Sequence, residues 1–385
     1  MTRAACVLLT ACTSAVESSD PEPTTSTAPT PATTEVVDSA ELIALTEEVF
    51  ADLDAGSPGC SLAVRHPGGT VDLHVGAADL DAATPIDRDS IFDVGSVSKQ
   101  LTAGVIALLV VDGDLALDDD VTELLPVLGP FDDTITVGDL LHHTSGLPDY
   151  LWFIDAGLDE PTTMQDALDV IASDDGAPTA APGERFEYSN TNYVLLALIV
   201  EEVTGLPFPD VVSTEILDPL DMSSSVVRDD QGVLLTGQAR GYASADEVEV
   251  DAPDVDGDGW VEFGSAWRQT GDGALHTTAL DLLRWAELFL DGPVASDGLG
   301  SPAWLDVMLT PGPVADADGT RYGGGLELGD GERGPVLGHG GSWIGYSAAI
   351  AMEPASGVAV AVACNIDGDD AESRAAEILD LWAEG

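Results

Sequence analysis

Phe92-Asp-Val-Gly-Ser96-Val-Ser-Lys99 opens an apolar run, Gln100-Leu-Thr-Ala-Gly-Val-Ile-Ala-Leu-Leu-Val-Val-Asp112, that stops at Gly113. Length, composition and the terminal glycine predict a buried helix. Ser96 and Lys99 stand three residues apart at its head, so they share a face and the hydroxyl can touch the amine. The amine lies near the positive end of the helix and against an apolar wall, two influences that pull a lysine toward a usable base. A serine beside such an amine is an activated nucleophile. Of the 12 basic residues 11 are arginine, and Lys99 is the single lysine of the chain. A sequence that has discarded every other lysine keeps the one at this spacing.

The rest of the composition is compatible with a large folded domain. The chain has 385 residues, 44% of them hydrophobic, enough for a sizeable core. Asp and Glu number 70 against 12 Lys plus Arg, for a formal net charge of −58. Such a surface repels nucleic acid and anionic lipid headgroups, so neither is an expected partner. High salt screens its self-repulsion, which suits a saline habitat. Periodic apolar segments recur throughout, as they do not in a disordered acidic chain.

The ends divide the chain into three parts. Residues 1–12, Met1-Thr-Arg-Ala-Ala-Cys-Val-Leu-Leu-Thr-Ala-Cys12, read as a lipoprotein-type signal with Cys12 as the lipidated cysteine. Residues 13–37 are Ser, Thr, Pro and Glu with almost nothing to bury, a tether. Residues 38–385 form the folded domain. The expectation is an extracytoplasmic protein, secreted or lipid-anchored, touching the membrane only through that anchor, and a monomer. Ala103–Val111 reads as a helix core too short to span a bilayer. Cys60 and Cys364 remain as the thiols of the mature domain, in a compartment that permits disulfides.

Strand signals cluster at both ends of the domain and helix signals in its middle. Cys60-Ser-Leu-Ala-Val-Arg-His, the Pro67-Gly-Gly turn and Thr70-Val-Asp-Leu-His-Val read as a hairpin after a helix over 40–53. Helices are predicted over 137–143, 164–173, 191–204 and 279–290, then strands over 336–339, 345–352 and 358–365 and a last helix over 371–383. That order suits an α+β fold, one antiparallel sheet built from both termini with a helical insertion.

Two further motifs follow Ser96-Val-Ser-Lys99 in order: Tyr188-Ser189-Asn190 before a helix, and His339-Gly340-Gly341-Ser342 on a strand. With Asp139-Leu-Leu-His-His-Thr-Ser-Gly-Leu147, Asp218-Pro-Leu-Asp-Met222 and Gly273-Ala-Leu-His-Thr-Thr, the chain from about residue 40 onward resembles the serine β-lactamase and penicillin-binding-protein superfamily. Its class C-like branch also holds D-alanyl-D-alanine carboxypeptidases, D-aminopeptidases and esterases. The resemblance implies a five-stranded antiparallel sheet flanked by helices plus an all-helical subdomain, with Ser96 between them. It implies Ser96 as nucleophile, Lys99 and Tyr188 sharing the base work, Asn190 as a positioning group, and the backbone N–H groups of Ser96 and Ser342 as the oxyanion hole. It also implies a Cys60–Cys364 disulfide, because the strands that carry them are sheet neighbours in that family. One departure stands out: His339 and Gly340 replace the Lys and Thr of the family's third motif, removing a permanent cation and a hydroxyl. A histidine there is mostly neutral at pH 7, although surrounding negative charge pulls its pKa up. Arg321 and Arg333 are the nearby cations that could stand in for the lysine.

Asp254-Val-Asp256-Gly-Asp258-Gly259-Trp-Val-Glu262 copies the first half of a calcium loop, but its twelfth position holds Ser265 in place of glutamate. A structural calcium site and a plain acidic turn both remain open readings. No cofactor is expected for catalysis. His142 and His143 read as structural, and no Gly-x-Ser-x-Gly elbow occurs. The leading expectation is a serine hydrolase acting on an ester or amide, with a small-molecule or peptidoglycan-derived substrate. The alternative is a non-catalytic penicillin-binding-like surface protein.

Overall fold

The computed structural model describes residues 39–385 apart from 130, 155, 158–159, 231–232, 247–258, 295–297 and 318. The signal with Cys12, the tether, and Asp254, Asp256 and Asp258 of the calcium-like loop therefore lie outside the described residues.

The sheet has seven strands where five were expected. They are β1 (Cys60–His66), β2 (Gly69–Val75), β3 (Arg321–Tyr322), β4 (Glu327–Asp330), β5 (Pro335–Trp343), β6 (Tyr346–Glu353) and β7 (Val358–Cys364), in the spatial order β3-β4-β5-β6-β7-β1-β2. All neighbours are antiparallel. The two extra strands are short, and Gly323-Gly324-Gly325 between them carries no strand signal. The chain's ends meet in the middle, where β1 pairs β7 in a register that sets Cys60 opposite Cys364. The two sulfurs are bonded across 304 residues of sequence.

Alternation along the central strands sorts side chains to two faces. Leu62, Val64, Val358, Val360 and Val362 pack with Ile378, Leu379 and Trp382 of the terminal helix Ala371–Glu384, and with Leu42 and Phe50 from the domain's start. Ala63, Ala359, Ala361 and Ala363 point the other way. Their small size lets the helix Ala279–Leu290 lie close to the sheet. Beyond it comes the helical part of the fold, built on Lys99–Asp112 and Asn190–Thr204.

The helix Lys99–Asp112 is the spine of that part. With the turn before it, Gly95–Asp112 is an 18-residue stretch apolar enough to cross a membrane by length and composition, longer than the core marked from sequence, yet most of it is buried inside the protein. Trp285 Nε1 donates to Gln100 Oε1 at 2.9 Å and Trp304 Nε1 to the Gly104 carbonyl at 2.9 Å. A Cβ at Gly104 would meet the Trp285 ring at 2.7 Å, so glycine there admits the indole.

Candidate active site

Ser96 lies in a 3₁₀ turn, Gly95–Ser98, that runs directly into the helix beginning at Lys99. The turn is pressed against β5. Gly95 has φ +49°, and a Cβ there would come within 2.9 Å of the Ser342 backbone. A Cβ on Gly341 would come within 2.0 Å of the Val94 carbonyl. Two glycines facing each other thus bring the Ser96 turn onto the strand edge. That edge is open: β4 pairs β5 only from Pro335 to Gly338. The backbone from His339 to Trp343 therefore presents its outer polar groups toward the serine rather than to another strand.

Lys99 is fully buried. Its Nζ donates to Ser96 Oγ at 2.8 Å, to Asn190 Oδ1 at 2.7 Å and to the Asp272 carbonyl at 2.7 Å. An ammonium has three N–H groups, and each is satisfied. Two of the acceptors, an amide oxygen and a peptide carbonyl, can only accept. The third, a hydroxyl, can also donate. When the amine gives up a proton, its two remaining N–H groups stay on Asn190 and Asp272, and its lone pair is left facing the Ser96 hydroxyl. The geometry accommodates both halves of a proton exchange with Ser96.

This arrangement rests on residues that sequence reading passed over. Asp149 Oδ2 accepts from Asn190 Nδ2 at 2.7 Å and from the Asn190 N–H at 3.1 Å. That contact fixes the amide flip, turning the oxygen of Asn190 to the lysine. Tyr150 Oη donates to Asp272 Oδ2 at 3.0 Å. Burial pushes the Asp272 carboxyl up to about 6, against the pull of the Lys99 charge and the Tyr150 hydroxyl. Asp149 follows the His-Thr-Ser-Gly-Leu phrase and Asp272 precedes the Gly-Ala-Leu-His phrase, but among 70 acidic residues neither carried a mark of its own.

Tyr188 is half-exposed at the mouth of the site, its ring centroid 5.0 Å from Lys99 Nζ. It stacks on His143 at 4.4 Å. His143 is buried: Nδ1 accepts from the Ser189 N–H at 3.2 Å and lies 2.9 Å from Asn192 Nδ2. Burial and the Lys99 charge hold it well below the ordinary histidine pKa.

His339 differs from expectation. Burial and the Lys99 charge pull it down to about 4, so the acidic coat does not raise it. Its Nδ1 lies against the Gly340 carbonyl and its Nε2 2.7 Å from Tyr322 Oη. A carbonyl can only accept, so Nδ1 carries the hydrogen. With the ring neutral, Nε2 then accepts from the tyrosine. Among the described residues no other cation takes the missing lysine's place: Arg333 pairs with Glu353 at 2.7 Å, and neither it nor Arg321 lines the cavities around the serine.

Two cavities flank Ser96 and share Ser342. One, of about 120 Å³, is walled by Tyr150, Leu151, Asn190, Trp267 and Gln269. The other, of about 330 Å³, is walled by Tyr188, Glu327, His339, Gly340 and Glu372. Glu262, the described carboxylate of the calcium-like loop, pairs with Arg240 at 2.7 Å. Among the described residues the one grouping of potential metal-ligand atoms joins Cys60, Cys364 and Asp369, and its two sulfurs are bonded to each other.

Comparison with known proteins shows the family. A profile of the family described as Beta-lactamase matches residues 46–382. The chain belongs to that family. It is 31% identical over 296 residues to Penicillin-binding protein 4* of Bacillus subtilis (strain 168), a match covering 73% of this chain and 62% of that relative's length. It is 29% identical over 320 residues to Penicillin-binding protein 4 of Amycolatopsis lactamdurans, covering 80% and 81%. Among solved structures, the D-amino acid amidase of Ochrobactrum anthropi SV3 complexed with D-phenylalanine superposes with a TM-score of 0.73 at 26% identity, over 89% of this chain and 98% of that one. A class C beta-lactamase, at 20% identity and TM-score 0.70, shares the fold over 90% of this chain and 98% of its own.

Proposed function

We propose that this protein is a serine hydrolase that cleaves an ester or amide through an acyl-Ser96 intermediate. The observation that carries the reading is the three-way hydrogen bonding of Lys99, in which Ser96 is the one partner able to reverse direction. Lys99 takes the Ser96 proton as Oγ attacks the substrate carbonyl. The backbone N–H groups of Ser96 and Ser342 hold the oxyanion. Tyr188, at the mouth of the site, delivers its hydroxyl proton to the leaving group and is reprotonated by the Lys99 ammonium; water then attacks the acyl carbon, its proton passing through the same groups to Ser96 Oγ as the acyl group leaves. A non-catalytic surface protein would have no use for a buried lysine aimed at a serine. The likeness to a D-amino acid amidase supports small D-amino-acid amides or neutral esters as substrates. The Cys60–Cys364 bridge supports an extracytoplasmic location.

The test is labelling and turnover. Ser96→Ala abolishes hydrolysis of p-nitrophenyl butyrate and labelling by a fluorophosphonate, and Lys99→Ala lowers kcat by several orders of magnitude. Undiminished turnover by the Ser96→Ala protein ends the reading.

A further inference from the structure

The larger cavity beside Ser96 holds carboxylates where the family pattern has a hydroxyl and a cation. A Cβ built on Gly340 would fall 1.3 Å from Glu372 Oε1. The glycine and the glutamate are therefore a matched pair. Removing the side chain at 340 leaves room for a carboxylate that the terminal helix Ala371–Glu384 pushes against the strand. Glu327, the first residue of β4, lines the same cavity. Neither glutamate forms an ion pair among the described residues. Asp369 and Asp370, also on this wall, are otherwise engaged. Asp369 pairs with Arg374 at 2.9 Å, and Asp370 caps the terminal helix by accepting from the Ser373 N–H at 3.1 Å.

A second observation points to an occupant. Ser347 on β6 is 3% exposed, lines this cavity, and its Oγ has no hydrogen-bond partner among the described residues. A buried hydroxyl without a partner is costly unless something fills the space before it. The titration of the glutamates agrees. Burial, with Asp370 nearby, pushes the Glu372 carboxyl up, and burial, with Glu372 and Asp316 nearby, does the same to Glu327. A cation between them would relieve both.

Tyr188, assigned above as the proton donor to the leaving group, stands on this cavity and not on the smaller one. We propose that this cavity is a leaving-group subsite that selects a positively charged leaving group, with Glu372 and Glu327 facing the ammonium. The assignment rests on the serine-hydrolase reading. Its consequence is sharp: a leaving group bearing a free carboxylate, such as a C-terminal amino acid, is rejected, while an ammonium alcohol, an ammonium thiol or the basic end of a peptide is accepted.

The test uses acetylthiocholine and its uncharged isostere 3,3-dimethylbutyl thioacetate, with thiol release followed by a chromogenic disulfide. Wild-type protein favours the cationic thioester in kcat/KM. The overall charge of −58 also attracts cations, so the wild-type preference alone does not locate the site. Glu372→Gln and Glu327→Gln, made separately, each change the total charge by one and reduce the cationic-to-neutral ratio about two- to fivefold. Glu48→Gln, on the remote first helix, leaves that ratio unchanged. A ratio unmoved in both cavity variants overturns the subsite while the hydrolase reading stands. Failure of wild type to cleave either thioester faster than Ser96→Ala overturns both.

Discussion

Asn190 does its work only if its oxygen, not its nitrogen, faces Lys99, and one contact decides that. Asp149 can accept but not donate, so it draws the Nδ2 group to itself at 2.7 Å and leaves Oδ1 for the ammonium. Asp149→Ala frees the amide to turn over and present N–H groups to the lysine. The expected result is a fall in kcat of about ten- to hundredfold with little change in KM, and partial recovery in Asp149→Asn. An unchanged kcat would show that the flip is fixed by something else.

Asp272 and His339 act on stability in opposite directions. Asp272 sits at about 6 against an ordinary 3.8. The native state binds that proton more tightly than the unfolded chain, so its favourable contribution is present below pH 3.8 and is lost as pH rises through 6. His339 sits at about 4 against 6.5. The native state binds that proton less tightly, so stability is lost as pH falls from 6.5 through 4, and buried His143 adds to this loss. Asp272→Asn should raise Tm at pH 7.5, give no gain at pH 4, and steepen the acid side of the profile. His339→Gln should flatten that side. Melting curves from pH 4 to 8 check both, and an Asp272→Asn protein equally destabilised at both ends would contradict the assignment.

At the scale of elements, what was legible depended on how strictly the side chains alternate. β1 and β7 were readable because large and small apolar residues take turns, one set for each face of the sheet. β5 was bounded at His339, although the His339-Gly340-Gly341 motif was placed on a strand, because two glycines offer no alternation that would carry the period further. In the fold those glycines are strand, kept bare for Val94 and Glu372 to approach. β3 and β4 span only two and four residues, too few to show a period. The nucleophile was legible because Lys99 is the only lysine. Asp149 and Asp272 were not, because nothing in a sequence this acidic distinguishes the carboxylates that fold inward. The pairing of β1 with β7 carries its own expectation. The disulfide closes a span of 304 residues, which the chain-entropy account rates at up to about 5 kcal/mol. The Cys60→Ala/Cys364→Ala protein should lose roughly 5–10 °C in Tm while matching the wild-type rate on p-nitrophenyl butyrate at 25 °C, since neither sulfur lines the cavities beside Ser96. Two free thiols per unfolded wild-type domain, counted without reductant, would remove the bridge.

For the whole molecule, charge and site act together on substrate choice, and salt separates them. A chain at −58 repels an anion from a distance, and that repulsion is screened over about 10 Å at 0.1 M salt and about 3 Å at 1 M. Discrimination inside the site is different. Among the described residues no arginine lines the cavities beside Ser96, and Lys99 is committed to Ser96, Asn190 and Asp272. His339 is neutral, and Glu372 stands beside Gly340. A β-lactam ring carboxylate therefore meets no cation to hold it, at any ionic strength. The measurement is kcat/KM for p-nitrophenyl butyrate and for nitrocefin at low and high salt. The ester should be preferred under both conditions. The preference should shrink as salt removes the long-range part, then level off at the part set by the missing cation. Nitrocefin turning over faster at both salt concentrations would mean that its carboxylate finds a partner other than His339, and the argument from this site would fail.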